Sequence, residues 1–220
     1  MEDKSANERS LVFSYLTLRK AIGVLGIAFP FVLYVGALLI FQTNIQRSIS
    51  AYYHTGMRDV FVGTLWAIGF FLLSYKGYEC ADDIAGDLGC IFAVGVTLFP
   101  TFPNGVASSN ARFIGHIHQT FTALFFLTLI YFSLFLFTKT NPRATPTRRK
   151  LQRNKVYRVC GYAMAICILL IVVYYRLTGA AASFLQPYKP VFWLEAIAVV
   201  AFGISWLTKG EAILKDLEES

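Results

Sequence analysis

The stretch AIGVLGIAFPFVLYVGALLIF, residues 21–41, runs for 21 residues without a charge. As a helix rising 1.5 Å per residue it would be about 32 Å long, enough to cross the roughly 30 Å hydrocarbon layer of a bilayer. Such a segment restricts the fold severely, because lipid offers backbone amides no partners and the chain must satisfy them within helices. Six windows of this kind can be read along the chain, at 20–41, 57–75, 84–102, 113–138, 157–177 and 190–208. Composition agrees: 15% of residues are charged, against about 25% in an ordinary soluble domain. The expected fold is an all-α integral membrane protein, a six-transmembrane-helix bundle forming one polytopic domain over 1–220.

Orientation follows from charge. The opening MEDKSANERS carries three acids and two bases before an apolar run too long for a cleavable signal peptide, so the first helix is expected to stay. With the connections assigned alternately to two sides, fifteen of the twenty Lys and Arg residues fall on one side and five on the other. The positive-inside rule then places both termini in the cytoplasm of a multi-pass protein of the cell (inner) membrane. Most of the excess lies in the segment 139–156, nearly all of it within TKTNPRATPTRRKLQRNK (138–155), where Asn141 and Pro142 mark a turn and a basic patch starts at Arg148. That loop is expected to meet anionic lipid headgroups. Nothing aromatic is interleaved there to stack on bases, so no nucleic-acid partner is expected. The same topology keeps Cys80, Cys90, Cys160 and Cys167 away from the oxidising side, which argues against a disulfide framework.

Several polar residues are forced toward the apolar layer. Only 16 residues separate Asp59 from Lys76, about 24 Å of helix, so Asp59 is drawn to the outer boundary. Glu195 interrupts the last apolar segment roughly 8 Å below its outer end. It is either a functional carboxylate or the partner of Arg176 in a structural ion pair. Asp82 and Asp83 suit the first turn of a helix, where acids complement its dipole, and Asp87 lies one turn further in.

All three histidines, His54, His116 and His118, fall on the outer side. Three histidines with a nearby carboxylate are the residue types of a zinc site that activates water. His116 and His118 lie about 200° apart on a regular helix, so both can reach one metal only if the helix starts near Gln119. Ser50, Asp59 and Glu195 are the candidate catalytic groups, and Tyr53, Arg58, Arg112 and Arg176 the candidate ligand-binding rim. Aromatic residues Tyr52, Tyr53, Tyr174, Tyr175, Tyr188 and Trp193 are expected in an outer interfacial belt. Gly23, Gly26, Gly36, Gly63 and Gly69 are expected to admit close helix crossings.

Ser50-x-x-x-His54 resembles an element of the alkaline ceramidase and adiponectin-receptor superfamily, in which three histidines hold a zinc that hydrolyses a lipid amide. The resemblance implies His54 as a zinc ligand with Ser50 beside it, although this chain has His116-x-His118 where that family has His-x-x-x-His. SISAYYHTGMRDVFVGTLWAIGFFLLSYKGYE, AVGVTLFPT and HIHQTFTALFFLTLIYFSLFLFTKT together resemble uncharacterised bacterial six-helix membrane proteins akin to the FGF-receptor-activating-protein type of domain. That likeness implies a six-helix bundle and no reaction. The functions open at this point are an outer-face site binding a lipid headgroup, small ligand or metal ion, a zinc-dependent intramembrane lipid hydrolase, and a transporter or channel.

Overall fold

The computed structural model describes residues 2–75, 80–103, 105, 108–140 and 146–214, with side chains described from Tyr15 onward except at Ala182. Among these the chain is all-helical, 82% helix with no strand. The helices are α1 (Glu2–Phe41), α2 (Arg58–Leu73), α3 (Cys80–Leu98), α4 (Ser109–Tyr131), α5 (Arg148–Arg176), α6 (Gly179–Leu185) and α7 (Pro190–Lys209). Four stretches are long and apolar enough to cross a membrane: Tyr15–Phe41, Ser109–Leu136, Arg148–Arg176 and Pro190–Lys209. Helices α2, with 16 residues, and α3, which carries three aspartates, do not reach that standard by themselves.

Around the bundle, α1, α2, α3, α4, α5 and α7 each pack on the next, and α7 closes the ring against α1. Helix α7 is the central element, with 61% of its most apolar window buried, against 28% for α1 and α5. Its approach to α1 depends on missing side chains. A Cβ on Gly203 would stand 2.6 Å from the Gly23 carbonyl oxygen and 2.8 Å from the Ile27 amide nitrogen. Such backbone-to-backbone proximity is how small residues draw helices together where lipid removes the ordinary hydrophobic drive. Gly26 packs on α7, Gly36 on Met57 and Gly69 on α3 as expected, but Gly63 has open space around it and supports no crossing.

Helix boundaries differ from expectation where local capping adds to periodicity. Helix α5 begins at Arg148 because the Thr147 hydroxyl accepts the Lys150 amide at 3.1 Å, and the basic residues after it are good helix formers. The basic patch is therefore the first turns of a helix; the turn residues Asn141 and Pro142 lie outside the described residues, as does Lys76. After Lys209 the chain turns at Gly210 instead of extending as a polar helix, with Glu211 and Leu214 at positive φ. Residues 215–220 lie outside the described residues. The hairpin between α5 and α7 holds the short α6, which periodicity did not indicate.

The two ends of the bundle are built differently. At the end of α2, α4 and α7, Tyr75, Phe132, Phe137, Tyr157 and Trp206 form a buried aromatic cluster, with ring centroids of Phe137 and Trp206 5.1 Å apart. The chain reaches this cluster through a π-helical segment, Phe132–Leu136, closed by the Phe137 amide donating to the Phe132 carbonyl at 2.9 Å. Beside it Asp82 is buried and paired with Lys139 at 2.6 Å, so it is more than a dipole partner for α3. At the opposite end a 3-10 helix, Ser50–His54, is wedged between α2 and α7. Tyr52 of that wedge is fully buried against Phe192 and not part of an interfacial belt. Burial pushes its phenol above the ordinary pKa, so it packs as a neutral hydroxyl.

Candidate functional site

Glu195 organises the wedge end. It lies five residues into α7, about 7.5 Å along the axis, and it is buried. The Ile49 amide donates to its Oε2 at 2.6 Å, and the Ser50 amide is a second donor. A carboxylate held by two backbone amides satisfies the start of the 3-10 helix, whose first donors have no internal partner. Arg176 is exposed and makes no ion pair with Glu195 among the described residues. The carboxylate's partners are instead the backbone amides of Ile49 and Ser50.

The histidines divide into separate roles. The Nδ1–H of His118 donates to the carbonyl oxygens of Phe99 at 2.7 Å and Val96 at 3.0 Å, and His54 donates through Nε2 to the Thr101 carbonyl at 2.8 Å. Both thus satisfy carbonyls at and beyond the C-terminal end of α3, where an α-helix leaves acceptors unpaired. His116 is exposed, with its ring edge-on to Phe102. Helix α4 is already regular at Ser109, capped by the Ser108 hydroxyl, so His116 and His118 project from different faces. Among the described residues no three His, Cys, Asp or Glu side chains lie together in a way that could hold a metal ion.

With Nδ1 of His118 committed as a donor, its Nε2 is the lone-pair nitrogen. Nε2 is buried with no hydrogen-bond partner, and the same is true of Thr122 Oγ1 one turn along α4. Both residues line a cavity of about 240 Å³. Glu195, Ser48 and Ser50 form its wall on the wedge side, Thr101 and Gln119 its rim, and Phe126, Ile168, Ile171 and Val172 its apolar wall. Tyr175 stands at the mouth and also lines a larger cleft of about 640 Å³ that contains Arg47 and Lys189. Arg47 donates to the Phe102 carbonyl and, at 3.4 Å, to that of Pro103.

Of the residues singled out from sequence, the cavity gathers Ser50, His118 and Glu195. Asp59 is exposed in the first turn of α2, and Arg58 is folded over Tyr53, with a hydrogen bond of 2.7 Å to its hydroxyl. Arg112 is exposed near the start of α4. These residues do not line the cavity. Sequence reasoning passed over Ser48, Thr101, Gln119 and Thr122 as site residues and gave Tyr175 only an interfacial place. One signal was available, since His118, Gln119 and Thr122 put three polar groups along one face of an otherwise apolar helix.

Chemically the cavity accepts more than it donates. Nucleophilic catalysis by Ser50 would need a base in contact and an orienting carboxylate on that base. Here His118 Nε2 contacts no hydroxyl, and its Nδ1 is oriented by carbonyls. No family model, no curated protein and no solved structure matches this chain.

Proposed function

We propose that this chain is a six-span membrane protein, with both termini in the cytoplasm, that binds a small ligand or lipid headgroup in the cavity between α4, α5, α7 and the 3-10 wedge. The observation that carries the reading is the pair of buried polar atoms without partners, His118 Nε2 and Thr122 Oγ1, on the wall of a space large enough for a ligand. A buried acceptor left unpaired costs about 1–3 kcal/mol, so two of them facing one cavity favour an occupant that donates to both. Recruitment of α2 and α3 as spans is supported by their packing into the same ring as the four longer helices. The charge split supports the orientation, with the aromatic cluster and the basic start of α5 at the cytoplasmic end, where Arg148, Arg149 and Lys155 would meet anionic lipid.

Two measurements test this. Native mass spectrometry of the purified protein should find a retained ligand or lipid that an Ala123→Phe variant, with the cavity filled, no longer holds. Equal retention by both proteins would remove the cavity from the function. Impermeant maleimide applied to intact cells should label a Ser109→Cys variant and leave native Cys80 untouched, since these exposed positions lie at opposite ends of the bundle. Labelling of Cys80 alone would reverse the topology.

A further inference from the structure

The reading above leaves the ligand's chemistry open, and the distribution of charge across the cavity and its neighbouring cleft narrows it. The inner chamber presents the Glu195 carboxylate, the His118 Nε2 lone pair and several hydroxyls, and no Lys or Arg lines it. The outer cleft presents Arg47 and Lys189 and is lined by no acid. Among the described residues neither Arg47 nor Lys189 forms an ion pair with a carboxylate. Tyr175 lines both chambers, so the two sites are neighbours across one ring.

We infer that the cavity and cleft together take a zwitterion, its N–H-bearing ammonium among Glu195, His118 and Thr122 and its phosphate against Arg47 and Lys189. This rests on the cavity being a ligand site at all. Acceptors at the inner end require a group that can only donate, and an ammonium supplies up to three N–H bonds together with the charge that balances a buried carboxylate. Arginine and lysine at the outer end suit a phosphate, the guanidinium through paired N–H donors and the lysine as a point charge. A trimethylated ammonium carries charge without N–H, so it would leave His118 Nε2 and Thr122 Oγ1 unsatisfied. The apolar wall of Ile168, Ile171 and Val172 on α5, where Val172 is exposed, would suit the glycerol end of a lipid. The same headgroup chemistry also exists as a free solute, phosphorylethanolamine.

The test uses the full chain in detergent. Native mass spectrometry counts phosphatidylethanolamine, phosphatidylcholine and phosphatidylglycerol retained from equal mixtures, and calorimetry titrates phosphorylethanolamine, phosphorylcholine and inorganic phosphate. The expected result is at least tenfold preference for the ethanolamine compound over its choline counterpart; preference among lipids marks a lipid ligand, and preference only among solutes a free one. Glu195→Gln and Arg47→Gln should each weaken binding about tenfold or more. Glu195→Gln keeps an oxygen to accept the Ile49 amide, and Arg47 is exposed, so its replacement leaves the core intact. Equal retention of choline or glycerol lipids, or unchanged binding in both variants, overturns the inference. A ligand without an amine that Ala123→Phe displaces overturns the zwitterion and leaves the cavity reading standing; no bound ligand or lipid of any class overturns both.

Discussion

The two ends of this bundle place their buried polar groups in different surroundings. At the aromatic end the buried hydroxyls of Ser133 and Ser205 hydrogen-bond each other at 2.9 Å, while Trp206 Nε1 is buried without a partner among packed rings. At the wedge end the helices part around a cavity, and buried His118 and Thr122 atoms have no partner. Unpaired buried groups thus occur at both ends, against the rule that such groups are paired, but those of His118 and Thr122 line one cavity. Two such atoms on the wall of one cavity mark a site, because a single occupant of that space satisfies both.

Truncation should separate the ends most strongly. Trp206 is 1% exposed and packs on Tyr75, Phe132, Phe137 and Phe202, so Trp206→Ala should cost about 3–5 kcal/mol, the usual range for emptying a large aromatic site. Thermal unfolding in detergent should show the loss, and a variant as stable as the parent would mean the cluster is not the structural anchor. Next comes the α1–α7 crossing. Gly203→Ala would drive a methyl into the Gly23 carbonyl and the Ile27 amide, backbone atoms that cannot rotate away, at a cost of about 1–3 kcal/mol. Gly63→Ala, with nothing near it, should be neutral or slightly stabilising by the same assay, since alanine is the better helix former.

What the sequence disclosed sorts along the same division. Apolar run length located the four helices long and apolar enough to cross a membrane, because the requirement that lipid places on backbone hydrogen bonds acts on each segment by itself. Helix ends were less legible. They turn on single caps such as Thr147, and on the π-helical turn before Phe137 that aims the aromatic cluster inward. Charge and depth singled out Glu195, which does reach the cavity, yet the one partner the sequence suggested for it was an arginine and the one observed is backbone. A side chain's partner depends on which loop folds over it, and no periodicity encodes that. The histidines failed for a related reason: their types suggested a shared metal, whereas two of them are spent on carbonyls after α3.

The smallest expected effect is the sharpest test of the comparison, because it turns on sign. Ser133→Ala removes one half of a satisfied buried pair and strands the Ser205 hydroxyl, which should cost about 1 kcal/mol; replacing both serines by alanine should recover most of it. Thr122→Val is nearly the same chemical change, a buried hydroxyl exchanged for a methyl. There the hydroxyl has no partner to strand, so removing it should leave unfolding unchanged or raise stability by up to about 1 kcal/mol. The same variant should lose ligand retention, since it deletes one of the two unpaired atoms on the cavity wall. Stability gained while binding is lost is the pattern of a group retained for function. If Thr122→Val instead destabilises the protein as Ser133→Ala does, the hydroxyl is paired in the native membrane and the contrast between Thr122 and Ser133 disappears.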